Sequence, residues 1–144
     1  MDNTAKTVIK VTVEINAPIE KVWELWATPA DIMQWNNISD EWHTPKVEND
    51  VRIGGEFLFV MGLKNGSFNF NFTGVYTEVK VNESMAYTLD DGRKSTITFT
   101  AGNPVKITES FEPNDNDPID MQRDFCKAVL NKFKAYAESK NDTN

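Results

Sequence analysis

Residues 117–138 read "DPIDMQRDFCKAVLNKFKAYAE", and this stretch decides the architecture. Asp117 suits an N-cap, where its side-chain oxygen can accept from a free backbone N–H. Pro118 suits the first turn, where no amide hydrogen is needed. At about 100° per residue, Met121, Phe125, Ala128, Val129, Phe133 and Tyr136 share one face. Arg123, Asp124, Lys127, Asn131 and Lys134 take the other. The spacing predicts a helix running to about Glu138. An apolar stripe that long has to be buried against a broad partner.

The preceding residues supply one. From Val47 to Phe111, apolar or alternating runs are punctuated by Gly54-Gly55, Asn65-Gly66, Asn82-Glu83, Asp91-Gly92 and Gly102-Asn103. Connections this short favour hairpins, so the segment reads as a meander of about six antiparallel strands. In "SFNFNFTGVYTEVKV" (67–81), Phe68, Phe70 and Phe72 are even-numbered while Val75, Val79 and Val81 are odd. That slip of phase predicts a bulge at Gly74. Further upstream, Val8 to Ile15 alternates as a half-buried strand. "APIEKVWELW" (17–26) then carries Val22, Trp23, Leu25 and Trp26 at helical spacing, and "PADIMQW" (29–35) begins a second short helix. The order is α+β: a sheet of about 6–7 strands enclosing a core with the final helix. One domain accounts for all 144 residues, with its core at about 8–138. Only "SKNDTN" and the first few residues look frayed.

Composition narrows the function. The chain has one cysteine, Cys126, and one histidine, His43. It therefore has no internal disulfide, and these two cannot supply the four nitrogen or sulfur ligands of a structural zinc site. A reducing, cytoplasmic compartment is expected. The N-terminus alternates instead of placing an apolar stretch after a charged one, and no long uncharged run follows; neither a standard signal nor membrane insertion is expected. With 22 acidic residues, 15 basic ones and a net charge of −7, the chain is a poor partner for nucleic acid or anionic membrane. No cofactor or metal is expected. Gly54-Gly55 lacks a following Lys-Ser/Thr helix start, and "EPNDNDPID" (112–120) lacks the glycine and terminal glutamate of a calcium loop.

Two residues are candidates for proton transfer. Glu109 shares a strand face with Val105, Ile107 and Phe111, which points a carboxylate inward, where it is costly unless paired or kept protonated. The alternative is a register slip that leaves it in solvent. His43 is the one imidazole, expected in a loop at a cavity entrance, and its alternative is a surface or capping role. Gln122 falls near the middle of the helix's buried arc, with capping or loop contact as its other reading. Trp23 and Trp26 read as packing. Trp35 and Trp42 fit no periodic face and suit a cavity rim as well as the core. Phe57, Phe59, Met61, Phe68, Phe70 and Phe72 are expected on the sheet's inner face, as core or as pocket lining, with Met121 and Phe125 opposite them.

Taken in order, "INAPIEKVWELWATPADIMQW" (15–35), "DVRIGGEFLFVMG" (50–62), "FNFTGVYTEV" (70–79), "DDGRKSTITF" (90–99) and "MQRDFCKAVLNKFKAYAE" (121–138) resemble the START-like (SRPBCC, helix-grip) superfamily. The branch is that of the activator of heat-shock protein 90 ATPase homologues. The resemblance covers about residues 8 to 138. It implies a curved sheet gripping the C-terminal helix, with a cavity between them that in many relatives takes an apolar or aromatic molecule. Asp50, Arg52, Gly54 and Gly55 match the family's turn into the third strand, and Gln122 and Arg123 match the opening of its last helix. Phe125-Cys126 departs from the usual Gly-Trp. The superfamily spans lipid carriers, polyketide cyclases and chaperone regulators, and fold alone does not choose among them. The expectation carried forward is binding of a small hydrophobic molecule, with Trp35, Trp42, His43, Glu109 and Gln122 as its polar points. A cyclase- or hydrolase-like enzyme using Glu109 or His43, and a stress-response chaperone partner, are the alternatives.

Overall fold

The computed structural model describes residues 7–37 and 39–141. Chain order is β1 (Ile9–Ile15), α1 (Ile19–Ala27), α2 (Pro29–Trp35), β2 (Trp42–Asn49), β3 (Glu56–Leu63), β4 (Asn69–Lys80), β5 (Ser84–Leu89), β6 (Lys94–Thr100), β7 (Val105–Phe111) and α3 (Ile119–Asn141). The seven strands form one antiparallel sheet in the order β1-β7-β6-β5-β4-β3-β2, curved into a half-barrel. Alternation explains β1 directly: Ile9, Val11, Val13 and Ile15 are buried and the residues between them exposed. The meander begins at Trp42, five residues before the expected Val47, because the run from Trp42 pairs with β3 across a register shift between His43 and Lys46. The first six residues and 142–144, part of the segments read as frayed, lie outside the described residues. Ser139 to Asn141 continue α3 past its expected end.

The bulge in β4 lies three residues beyond Gly74. Tyr76 faces Tyr87 and Glu78 faces Ala86, leaving Thr77 as the extra residue. Phe72, Gly74 and Tyr76 therefore stay in phase on the inner face, and Val79 joins them after the slip, opposite Met85. Val75 points outward, and Val81 lies beyond the strand. Gly74 has another reason to be glycine: a Cβ there would lie 2.7 Å from Phe57 Cζ and 2.7 Å from the Thr88 carbonyl oxygen. The Phe57 ring lies across the bare backbone, opposite its own pairing partner.

α3 packs against β1, α1 and α2. Leu130, Phe133 and Ala137 are fully buried, so the packed face is rotated from the one read in the sequence, which omitted Leu130. Met121 and Phe125 remain 56% and 39% exposed. The C-terminal turns press into the core while the first turns overhang the sheet. Trp26, Trp35 and Phe133 knot the three helices together, with ring centroids 4.8–5.0 Å apart, a spacing typical of favourable aromatic pairs. Polar contacts fix the helix lengthwise along the edge of the sheet. Lys127 Nζ donates to the Thr12 carbonyl at 2.7 Å and Lys134 Nζ to the Glu14 carbonyl at 2.8 Å. These lysines occupy acceptors that an edge strand would otherwise offer to another chain.

Candidate ligand-binding cavity

Because α3 meets the sheet along one side only, a hollow of about 380 Å³ remains between its first turns and the strands from β3 to β7. Volumes of roughly 300–1,000 Å³ are usual for small-molecule sites. Strand register arranges the wall in rows. Glu109 lies opposite Ile97, which lies opposite Met85. In the next row come Phe111, Ser95, Tyr87 and Tyr76. Beyond these, Phe57 stands across from Gly74, Phe59 across from Phe72, and Met61 across from Phe70. The rings contact one another: Phe57 meets Tyr87 edge-on at 4.9 Å and Tyr76 at 5.3 Å.

Glu109 borders this hollow. Apolar rows surround it, and burial pushes its carboxyl from 4.5 up to about 7, because a low-dielectric site disfavours the charged form. The Cys126 thiol lies against it and partly offsets that rise. A thiol is a weak donor, and no N–H or O–H group among the described residues donates to this carboxyl. The thiol itself is pushed up, first by burial and then by the carboxylate, which leaves it a poor nucleophile. Burial also raises the Tyr76 and Tyr87 phenols. For Tyr87 the Glu109 charge is the second cause, and a hydrogen bond with Ser95 opposes both. Tyr76 Oη donates to Asn49 Oδ1 at 2.6 Å, and Asn49 Nδ2 donates to the Ala27 carbonyl at 2.8 Å, so the inner end of the wall is tied to α1.

The structure brings together Trp35, Phe59, Met61, Phe70, Phe72, Glu109, Met121, Gln122 and Phe125 around the hollow. Trp35 combines both of its readings. It is buried, donates from Nε1 to the Leu25 carbonyl at 3.0 Å, and shows its remaining edge to the cavity. Gln122 lines the mouth while bonding the loop before α3: Nε2 donates to the Asp117 carbonyl at 2.9 Å. Trp42 and His43 stand apart. They open β2 instead of lying in a loop, pair with Leu63 and Gly62, and do not border the hollow. Phe68 is 50% exposed and precedes β4; its ring packs edge-on against Trp42 at 6.2 Å, outside the cavity. Sequence reading missed Tyr87, Ser95 and Tyr76. The alternation of β5 and β6 carries Tyr87 and Ser95, but only the register across strands shows that they share a row with Phe111. Among the described residues, no three His, Cys, Asp or Glu side chains come together to hold a metal ion. No described helix is long and apolar enough to cross a membrane.

A curved antiparallel sheet holding a long C-terminal helix, with two short helices inserted after the first strand, defines a START-like helix-grip domain. Comparison with known proteins narrows this. The family described as Activator of Hsp90 ATPase homolog 1-like protein matches residues 16–138. The chain belongs to that family. It is similar to the AHSA1-like protein from Aeromonas hydrophila, with 31% identity, 93% of this chain and 94% of that one covered, and a TM-score of 0.87. It is also similar to a Cytophaga hutchinsonii protein at 44% identity, covering 94% and 95% of the two chains with a TM-score of 0.80. A Chromobacterium violaceum protein, 23% identical over 91% and 97% of the two chains, shares the fold with a TM-score of 0.80. No curated protein matches the chain.

Proposed function

We propose that the chain binds a small, largely apolar molecule with an aromatic body in the hollow between α3 and the sheet. The observation that carries the reading is the composition of the wall. Contiguous rings from Phe57, Phe59, Phe72, Tyr76 and Tyr87 surround a space of ligand size, while Glu109 and Ser95 supply isolated polar points. Such a mix of broad apolar surface and few polar groups suits orientation of a guest by one end. The exposed Met121 and Phe125 offer an apolar lip on the overhanging turns of α3. Titrating uniformly labelled protein with a panel of flavonoid-like, fatty-acid and aromatic-amine ligands tests the reading. Saturable shifts are expected at the amides of Met85, Tyr87, Ser95 and Cys126; a panel that leaves them unmoved removes it.

A second reading uses the same carboxyl. A group poised at about 7 and facing a cavity has the proton affinity that general acid–base catalysis requires at neutral pH, so a cyclase- or hydrolase-like step is the alternative. Turnover of any bound substrate that survives Glu109→Gln would exclude Glu109 from that role.

A further inference from the structure

The polar groups around the hollow have an unequal distribution of charge, and this bears on what can enter. Three carboxyls border it: Glu109 within, Glu112 and Asp117 toward the mouth. One cation does, Arg93, and its Nε is already engaged with Asp91 Oδ2 at 2.7 Å. Facing Glu109 from the sheet is the Tyr87 phenol, and from α3 the Cys126 thiol; Lys127, whose charge reaches Cys126, has its ammonium on the Thr12 carbonyl at the sheet edge. Neither the phenol nor the thiol carries positive charge.

Beside the carboxyl, the wall presents ring faces and edges. Tyr87 lies one row along and two strands across from Glu109, near enough for the carboxylate's charge to act on its phenol. Around it stand Phe57 at 4.9 Å, Phe72 at 6.2 Å and Tyr76 at 6.2 Å. An inward carboxylate next to clustered aromatic rings is complementary to an ammonium group, which gains a charge-assisted hydrogen bond from the first and cation–π attraction from the second. A carboxylate-ended guest would bring a second negative charge into a low-dielectric space that already disfavours one.

We infer that the hollow selects a small aromatic amine, its ammonium group held by Glu109 beside Tyr87, and rejects fatty acids and other carboxylate-ended amphiphiles. This rests on the proposed reading of the hollow as a ligand site and names the class of ligand.

Three probes with one body separate the two claims: 2-(2-naphthyl)ethylamine, 2-(2-naphthyl)ethanol and 2-naphthylacetate, titrated at pH about 7.5 with calorimetry and amide shifts as readouts. The amine is expected to bind about tenfold tighter than the alcohol, and the acid about tenfold weaker than the alcohol, of the order that one desolvated charge contact supports. Glu109→Gln should erase the difference between amine and alcohol, read as the ratio of their affinities within the variant. Equal affinities for amine and acid would overturn the inference and leave the cavity reading standing. Absence of saturable binding by all three would overturn both. Should Glu109→Gln not fold, the unaltered protein still decides: amine affinity should rise between about pH 6 and pH 8 as Glu109 ionises, with the alcohol unchanged. A flat profile for the amine would overturn the inference.

Discussion

Asn114 and Gln122 bond to each other twice: the Asn114 amide donates to Gln122 Oε1 at 2.9 Å, and Gln122 Nε2 donates back to the Asn114 carbonyl at 3.2 Å. With the further bond to the Asp117 carbonyl, one side chain fastens the loop between β7 and α3 across the mouth of the hollow. Asn114 Oδ1 in turn accepts from the amides of Asn116 and Asp117, so the middle of the loop is a chain of local bonds gathered on Gln122, while Glu112 ties its start to Lys94 of β6. Gln122→Ala should lower stability by about 1–3 kcal/mol, the usual cost of stranding partly buried backbone groups. The Asn114 amide should exchange with solvent much faster. Unaltered exchange at Asn114 would mean that the loop holds itself.

Glu109 makes stability depend on pH in a direction opposite to that of a salt-bridged acid. In the unfolded chain its carboxyl ionises at 4.5, and in the folded protein at about 7. Between these values the folded state holds more protons, so stability falls as pH rises through that window and stays reduced above it. Glu109→Gln removes the effect. The variant should match the original protein near pH 4.5 and be more stable by about 2–3 kcal/mol at pH 8. Thermal unfolding across that range measures the difference, and a constant gap would exclude Glu109 as its source.

Gly74→Ala tests the close approach at the middle of the sheet. The added methyl meets the Phe57 ring and the Thr88 carbonyl, each at 2.7 Å. The carbonyl belongs to the neighbouring strand and cannot yield without opening the ladder. A loss of about 2–3 kcal/mol in a urea titration is expected, at the upper end of overpacking costs.

Trp42→Ala and His43→Ala should leave the affinity of any cavity ligand within twofold, since neither residue borders the hollow. Phe125→Ala, at the exposed lip, should weaken binding by about 1 kcal/mol while changing stability by less than about 1 kcal/mol, as expected of a half-exposed side chain. Calorimetric titration of the three variants with one ligand tells them apart. A large loss from Trp42→Ala would move the site to the Trp42–Phe68 ring pair.

Much of the architecture was legible because it follows from period alone. The alternation in β1, the glycine-marked hairpins and the helical stripe of α3 are local patterns, and each became the expected element. Glu109 was legible for the same reason, since parity places it beside Ile107 and Phe111. What failed was phase. The bulge at Thr77 could not be placed by the Phe and Val pattern, because Tyr76 and Val79 belong to one face across an inserted residue. The rotation of α3 was hidden as well: a wheel ranks residues by hydrophobicity, but Met121 and Phe125 overhang a space while Leu130 meets the core. Trp42 and His43 look like rim residues in one dimension because tryptophan and histidine suit wet boundaries. Pairing with Leu63 and Gly62 places them at the start of the outer strand instead. The Tyr87 row was invisible for want of the inter-strand register.

The sheet order has a kinetic corollary. β1 and β2 are neighbours in sequence but occupy opposite margins of the sheet, and among the described residues β1 pairs with β7 alone, with Thr12 and Thr108 separated by 96 positions. Such pairing closes a long loop, a slow event. The inner wall is thus built from hairpins that pair locally, whereas its closure by β1 and α3 waits on contacts between the most distant parts of the described chain.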